Sequence, residues 1–151
     1  MNALIVVAAL SASLVAPTSG GARQAPPHAG KVEALQDALL SNENAPEDWY
    51  ALGHALYAAN RDREAIAAFE RAMQFGSAHA HDAPWRIARA YARLGNRRQA
   101  LRWAEHSISS GVITRHQMEA APEFAAYRRD PKYRRLRVRG NIPANDAAQV
   151  A

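Results

Sequence analysis

The chain has 151 residues, 48% of them hydrophobic and 22% charged, which is ordinary material for one modest globular core and too little for several. It contains no cysteine, which excludes disulfide bonds, thiolate metal sites and the acylated cysteine of a lipoprotein. The formal net charge of +5 is unevenly spread: Lys31 to Ala83 holds 4 basic and 9 acidic residues, whereas Pro84 to Gly140 holds 14 basic and 4 acidic, a polarity that favours an anionic partner or a head-to-tail contact.

Taken in chain order, the first feature is ALIVVAALSASLVA at 3 to 16, uncharged and followed by the small residues PTSGGA. This is the outline of a signal peptide over 1–22. The apolar run is shorter than the roughly 20 residues a helix needs to cross a bilayer. Cleavage after Ala22 and export to the periplasm or medium is therefore expected, with a retained membrane anchor as the alternative. Met1 and Asn2 lack the basic residue usual at such a start. RQAPPHAG at 23–30, with Pro26 and Pro27 at its centre, predicts a flexible lead. In KVEALQDALLSNENAP the apolar positions 32, 35, 39 and 40 predict a capping helix over 31–45.

WYALGHALYAA carries apolar residues at 49, 52, 53, 56 and 57, the spacing of an amphipathic helix. Asn44 as N-cap and Pro46 in the first turn would start it. Asn60, which tolerates the left-handed conformation, would end it. A second helix, about 62–75, would bury Ala65, Ile66, Phe69, Ala72 and Met73. The same statement then recurs 35 residues later, with LGHALYAANRDREAIAAFERA at 52–72 answered by IARAYARLGNRRQALRWAEHS at 87–107. Leu52 pairs with Ile87, Gly53 with Ala88, Asn60 with Gly95 and Ala65 with Ala100, and Asp82 and Pro84 would start the copy. A fixed period of this length predicts a solenoid, whose units bury their apolar faces only by stacking. The small residues mark where helices approach closely.

Through Trp49, Leu52, Gly53, Ala65 and Phe69, the stretch from Pro46 to about Gly111 resembles tandem tetratricopeptide repeats. Leu56 stands for the usual aromatic and Ser77 for a frequent proline. The second copy is looser, with Pro84, Ala88 and Ala104 at the tryptophan, glycine and phenylalanine places, and Trp85 and Trp103 one position away. APEFAAYRRDPKYRRL at 121–136 resembles a segment that closes bacterial repeat arrays, through Pro122, Phe124, Asp130, Pro131, Tyr133 and Leu136. The resemblance implies an all-α, right-handed α-solenoid of antiparallel helix pairs, with repeats at 46–79 and 80–111, a helical cap at 112–139 and a disordered tail at 140–151.

No motif for catalysis stands in the chain: no Gly-x-Ser-x-Gly, no phosphate-cradling glycine loop, no His-Glu-x-x-His. No enzyme, cofactor or small-molecule substrate is expected. His79, His81 and Asp82 in HAHD, with His54, are the nearest approach to a metal site, but Asp82 is expected to cap a helix and the histidines to sit in an exposed turn. The basic patch Arg128, Arg129, Lys132, Arg134, Arg135, Arg137 and Arg139 offers either a solvated helix face or an anionic-surface binder for lipid, cell-wall polymer or, less in keeping with export, nucleic acid. Tyr127, Tyr133 and Leu136 would form the buried side of that helix.

Carried across from the family, the positions lining the concave groove are Tyr50, His54 and Tyr57 in the first copy and Trp85, Arg89 and Arg93 in the second. The resemblance implies a non-catalytic scaffold that holds a partner protein or peptide, and the arginines suit an acidic one. The asparagines and lysines of the family's carboxylate clamp are missing at these positions.

Overall fold

The computed structural model of the chain describes residues 28–139; the expected export signal, the lead up to residue 27 and the tail from residue 140 lie outside the described residues. The elements are α1 (Ala29–Ser41), α2 (Pro46–Ala58), α3 (Asp62–Gln74), α4 (Ala83–Arg93), α5 (Arg97–Ser109), α6 (Arg115–Ala120), a 3-10 helix (Pro122–Tyr127) and α7 (Pro131–Arg139). Among the described residues there is no strand, and no helix is long and apolar enough to cross a membrane. The architecture is an all-α solenoid of tetratricopeptide type. Connections of three residues fold α2 back on α3 and α4 back on α5, α3 packs on α4 to join the two pairs, and α1 covers α2. At the other end α7 lies on α5 and α6, and the 3-10 helix rests on α4 and α6.

The period is written into the turns. Asn60 (φ 59°) and Gly95 (φ 71°) leave α2 and α4 through the left-handed region, and Gly76 (φ 75°) and Gly111 (φ 73°) do the same after α3 and α5. These are the positions where a side chain on Cβ is least welcome, and each member of a pair stands 35 residues from its copy. Asp130 stands a further 35 beyond Gly95. Its Oδ1 accepts the backbone N–H groups of Lys132 (2.7 Å) and Tyr133 (3.2 Å) ahead of Pro131, so the Asp-Pro-x-Tyr stretch is a capped helix start with its tyrosine turned inward.

Two expected caps are made differently. The residue before α2 is Ala45 and has no side-chain cap, while the backbone N–H of Asn44 donates to Asn42 Oδ1 at 3.3 Å; the asparagines shape the turn rather than close the helix. Asp82 does stand at the N-cap of α4, but its carboxylate makes no cap bond, because two stronger donors described below claim it. Helix α1 begins at Ala29, so residues 29 and 30 of the expected lead are helical. Leu40, read as part of its apolar face, is 67% exposed, because only Val32 and Leu39 of that helix turn fully inward.

The core runs in two connected clusters, one from Val32 through Trp49, Leu52, Leu56 and Phe69 to Ile87, the other from Ala88 through Leu101, Ala104 and Met118 to Leu136. Tyr91 and Trp103 touch both. In the first, Gly53 is required by its neighbour: a Cβ there would stand 2.7 Å from the ring of Phe69, which is wholly buried. Burial of a ring this size contributes about 1.5–3 kcal/mol, and the missing side chain at 53 makes room for it.

Candidate partner-binding face

Helices α2 and α4 bring the six expected groove residues onto one side of the stack, where each finds a partner within the chain. At one end the Tyr50 hydroxyl donates to Asp82 Oδ1 at 2.5 Å, and Arg86 Nε donates to Asp82 Oδ2 at 3.0 Å. Burial and the Asp82 carboxylate push the Tyr50 hydroxyl up to about 12. His54 lies edge-on to Tyr50 (4.8 Å) and to Phe69 (5.3 Å). Burial, then the charge of Arg86, lowers its pKa, which favours the neutral ring.

At the other end Arg93 joins the two repeats. Its guanidinium lies 3.9 Å from the centre of the Tyr57 ring, donates to the Tyr57 carbonyl at 2.8 Å near the C-terminus of α2, and forms a bidentate pair with the buried Asp62 at the start of α3. A planar fork with a ring face, a carbonyl and a carboxylate around it uses most of what arginine can offer.

Between these ends lies a segment of the chain itself. The 3-10 helix sets Glu123 over α2 and α4, where one oxygen, Oε1, accepts from the Tyr57 hydroxyl (2.6 Å), Arg89 Nε (3.0 Å) and Arg89 Nη2 (2.7 Å). The other oxygen is buried without a hydrogen-bond partner among the described residues. Burial alone would raise the Glu123 pKa, but the hydrogen bonds from Arg89 and Tyr57 outweigh it and hold the carboxyl below its usual range. The Tyr57 hydroxyl is pushed up to about 12 by burial and by this same carboxylate. Next to it Phe124, wholly buried, stacks on Trp85 at 5.3 Å with 16° between the planes. Trp85, named as a groove residue, is thus a platform for an aromatic from the cap, while Trp103 lies half-buried at the seam of the two clusters. Tyr127 O–H reaches the Ala92 carbonyl at 3.3 Å and closes the segment down.

The carboxylates of this face, Asp62, Asp82 and Glu123, were not legible as its partners in the sequence. A signal was available for Glu123: it is one of only 4 acidic residues among 14 basic ones between Pro84 and Gly140, which favours a basic neighbour for it.

The other candidates are dispersed. His79 sits 3.9 Å from Glu47, whose carboxylate ties down the turn after α3 by accepting from Ser77 Oγ (2.9 Å) and the Ala78 N–H (2.8 Å). Asp82 points to Tyr50 and Arg86, away from a ligand role with the two histidines. Of the serines near the end of α5, Ser107 is fully buried and donates to the Trp103 carbonyl at 2.9 Å. In the basic patch, Lys132 pairs with Glu105 (2.8 Å), Arg137 with Glu119 (3.5 Å), and Arg128 reaches the Glu119 carbonyl (3.5 Å). Arg129, Arg134 and Arg135 are exposed and form no ion pair among the described residues, while Tyr133 and Leu136 are buried beneath them and Tyr127 is half-buried.

Among known proteins, the sequence profile described as tetratricopeptide repeat matches residues 46–76, the span of α2 and α3 up to the left-handed Gly76. No curated protein and no solved structure matches the chain.

Proposed function

Because the chain is a tetratricopeptide repeat protein, a class whose repeats generally mediate protein–protein interaction, we propose that it is a non-catalytic adaptor, exported to the bacterial cell envelope. In this reading it holds an acidic segment of a partner protein on the face lined by Tyr50, His54, Tyr57, Trp85, Arg89 and Arg93. The observation that carries the reading is the docking of Glu123 and Phe124 on that face. A carboxylate on Arg89 and Tyr57, followed by an aromatic ring on Trp85, is a worked example of what the face accepts. The partner segment carries the same pair, an acidic residue and then an aromatic, and takes the place of the 3-10 helix. The tethered occupant sets a threshold that only a matching sequence crosses. The apolar run at 3–16 supports the export part of the proposal.

The test is titration of a synthetic peptide, APEFAAY, into the full chain and into its Phe124→Ala variant. Removing the tethered ring should tighten peptide binding by at least about tenfold, since an intramolecular competitor acts at millimolar effective concentration. A peptide with glutamine in place of its glutamate should lose that gain. Because Phe124→Ala also weakens the core, Glu123→Gln serves as a second host. Equal binding of the peptide to all three proteins would overturn the proposal.

A second reading rests on the unpaired Arg129, Arg134 and Arg135: an anionic polymer or lipid surface would meet the patch that runs from Arg128 to Arg139. Binding there falls steeply with salt, whereas binding on the half-buried concave face persists.

A further inference from the structure

The two ends of the stack are complementary, and this does not involve the face lined by Arg89 and Arg93. At the first end, Glu33, Asp37 and Leu40 are all exposed and fall at i, i+4 and i+7 on α1, so they form one exposed stripe along its flank. Neither acid forms an ion pair among the described residues. At the last end, Arg134, Arg135 and Val138 share one face of α7, with Val138 66% exposed. An open depression there is lined by Pro131, Arg134, Arg135, Leu136 and Val138 and, at one edge, by Glu105 and Lys132, which pair with each other at 2.8 Å. One end thus presents two acids beside an exposed leucine, and the other presents two arginines without an ion pair among the described residues, beside a hollow floored by Pro131, Leu136 and Val138. Leu40 and Val138 are two of the three large hydrophobic residues that stand exposed among the described residues. That they sit at opposite ends, each among charges of opposite sign, is what selects the occupant.

We propose that the first end of one copy docks on the last end of a second copy, Leu40 entering the depression of α7 while Glu33 and Asp37 meet Arg134 and Arg135. The contact is heterologous: the two surfaces differ, so a docked pair keeps one free head and one free tail. Copies therefore add in a row, continuing the solenoid as a further repeat would. The halves support this order, since Lys31 to Ala83 carries a net −5 and Pro84 to Gly140 a net +10. Long-range attraction then favours head-to-tail over head-to-head or tail-to-tail encounters.

Sedimentation of the full chain over a concentration series tests it. Weight-average mass should rise with concentration in 50 mM salt. The association constant should fall by about tenfold or more in 0.5 M salt, as two exposed ion pairs weaken. Glu33→Arg with Asp37→Arg should abolish association, and so should Arg134→Glu with Arg135→Glu. An equimolar mixture of these two variants should restore it, because each head then meets a tail of opposite charge. Leu40→Gln checks the apolar contact without changing the charges and should also give a monomer. A wild-type chain that stays monomeric throughout would overturn the proposal. So would association that survives either charge reversal, or a mixture that remains monomeric.

Discussion

The two helix pairs share one spacing and close their cores differently. In the first, a glycine and a phenylalanine fit each other: Gly53 has no side chain because the ring of Phe69 occupies the place where one would be. In the second pair the same two places hold Ala88 and Ala104, both fully buried. The large aromatic of that region, Phe124, comes from the 3-10 helix of the cap. The first pair is self-sufficient at this contact, and the second is completed by the segment that follows it. A repeat can give up its own aromatic if its neighbour supplies one. The neighbour is then bound in place as part of the core, and with it comes a carboxylate for Tyr57 and Arg89.

That dependence makes Phe124→Ala the most damaging single change expected. Truncating a fully buried phenylalanine costs about 3–5 kcal/mol, and the loss should fall unevenly. Hydrogen exchange should show amides of α4 and α5 opening before those of α2 and α3. Uniform loss of protection across both pairs would erase the distinction.

Gly53→Leu should cost less, about 1–3 kcal/mol from overpacking, and its cost should depend on Phe69. In a Phe69→Ala background, which copies the small pair of the second repeat, the added penalty should largely disappear. The equivalent change at exposed Arg98, on the outer side of α5, should leave the melting temperature within a few degrees. An equal cost at both places would contradict the alignment of the repeats.

Smaller effects follow from the carboxylate. The Glu123 carboxyl is held below its usual range by Arg89 and Tyr57, so it contributes stability that is present above the ordinary carboxylate pKa and lost as pH falls through its lowered folded value. Tyr57, raised from 10.0 to about 12, behaves in the opposite sense. Its contribution is complete below pH 10 and is lost as pH rises toward about 12. Tyr57→Phe should cost about 1 kcal/mol at neutral pH and flatten part of that alkaline arm in denaturation measured against pH. Tyr50, raised to about 12 by burial and by Asp82, adds to the same arm, as do Tyr91, Tyr127 and Tyr133, each raised first by burial.

Much of the architecture was legible because it is local. The turns at Asn60 and Gly95 need only a residue that accepts positive φ, and Gly53 declares a close contact by its place in an otherwise filled helix face. The fate of the groove residues was less legible. Tyr57 and Glu123 stand 66 residues apart, and no periodicity says which carboxylate will meet which arginine. Leu40 shows a different gap: its spacing fits a core stripe, but α1 is the first helix of the described stack, with its outer side uncovered. Arg89 and Arg93 have the composition of a binding surface, and in the folded chain the same chemistry serves first to hold the repeats and the cap together.

The face formed by α2 and α4 holds one carboxylate on Arg89, that of the chain's own Glu123. A double-mutant cycle on Arg89→Ala and Glu123→Gln, read by chemical denaturation at neutral pH, tests it directly. A coupling of about 1.5–3 kcal/mol is expected, the range for a hydrogen bond to a charged group; changes that simply add would contradict the pairing.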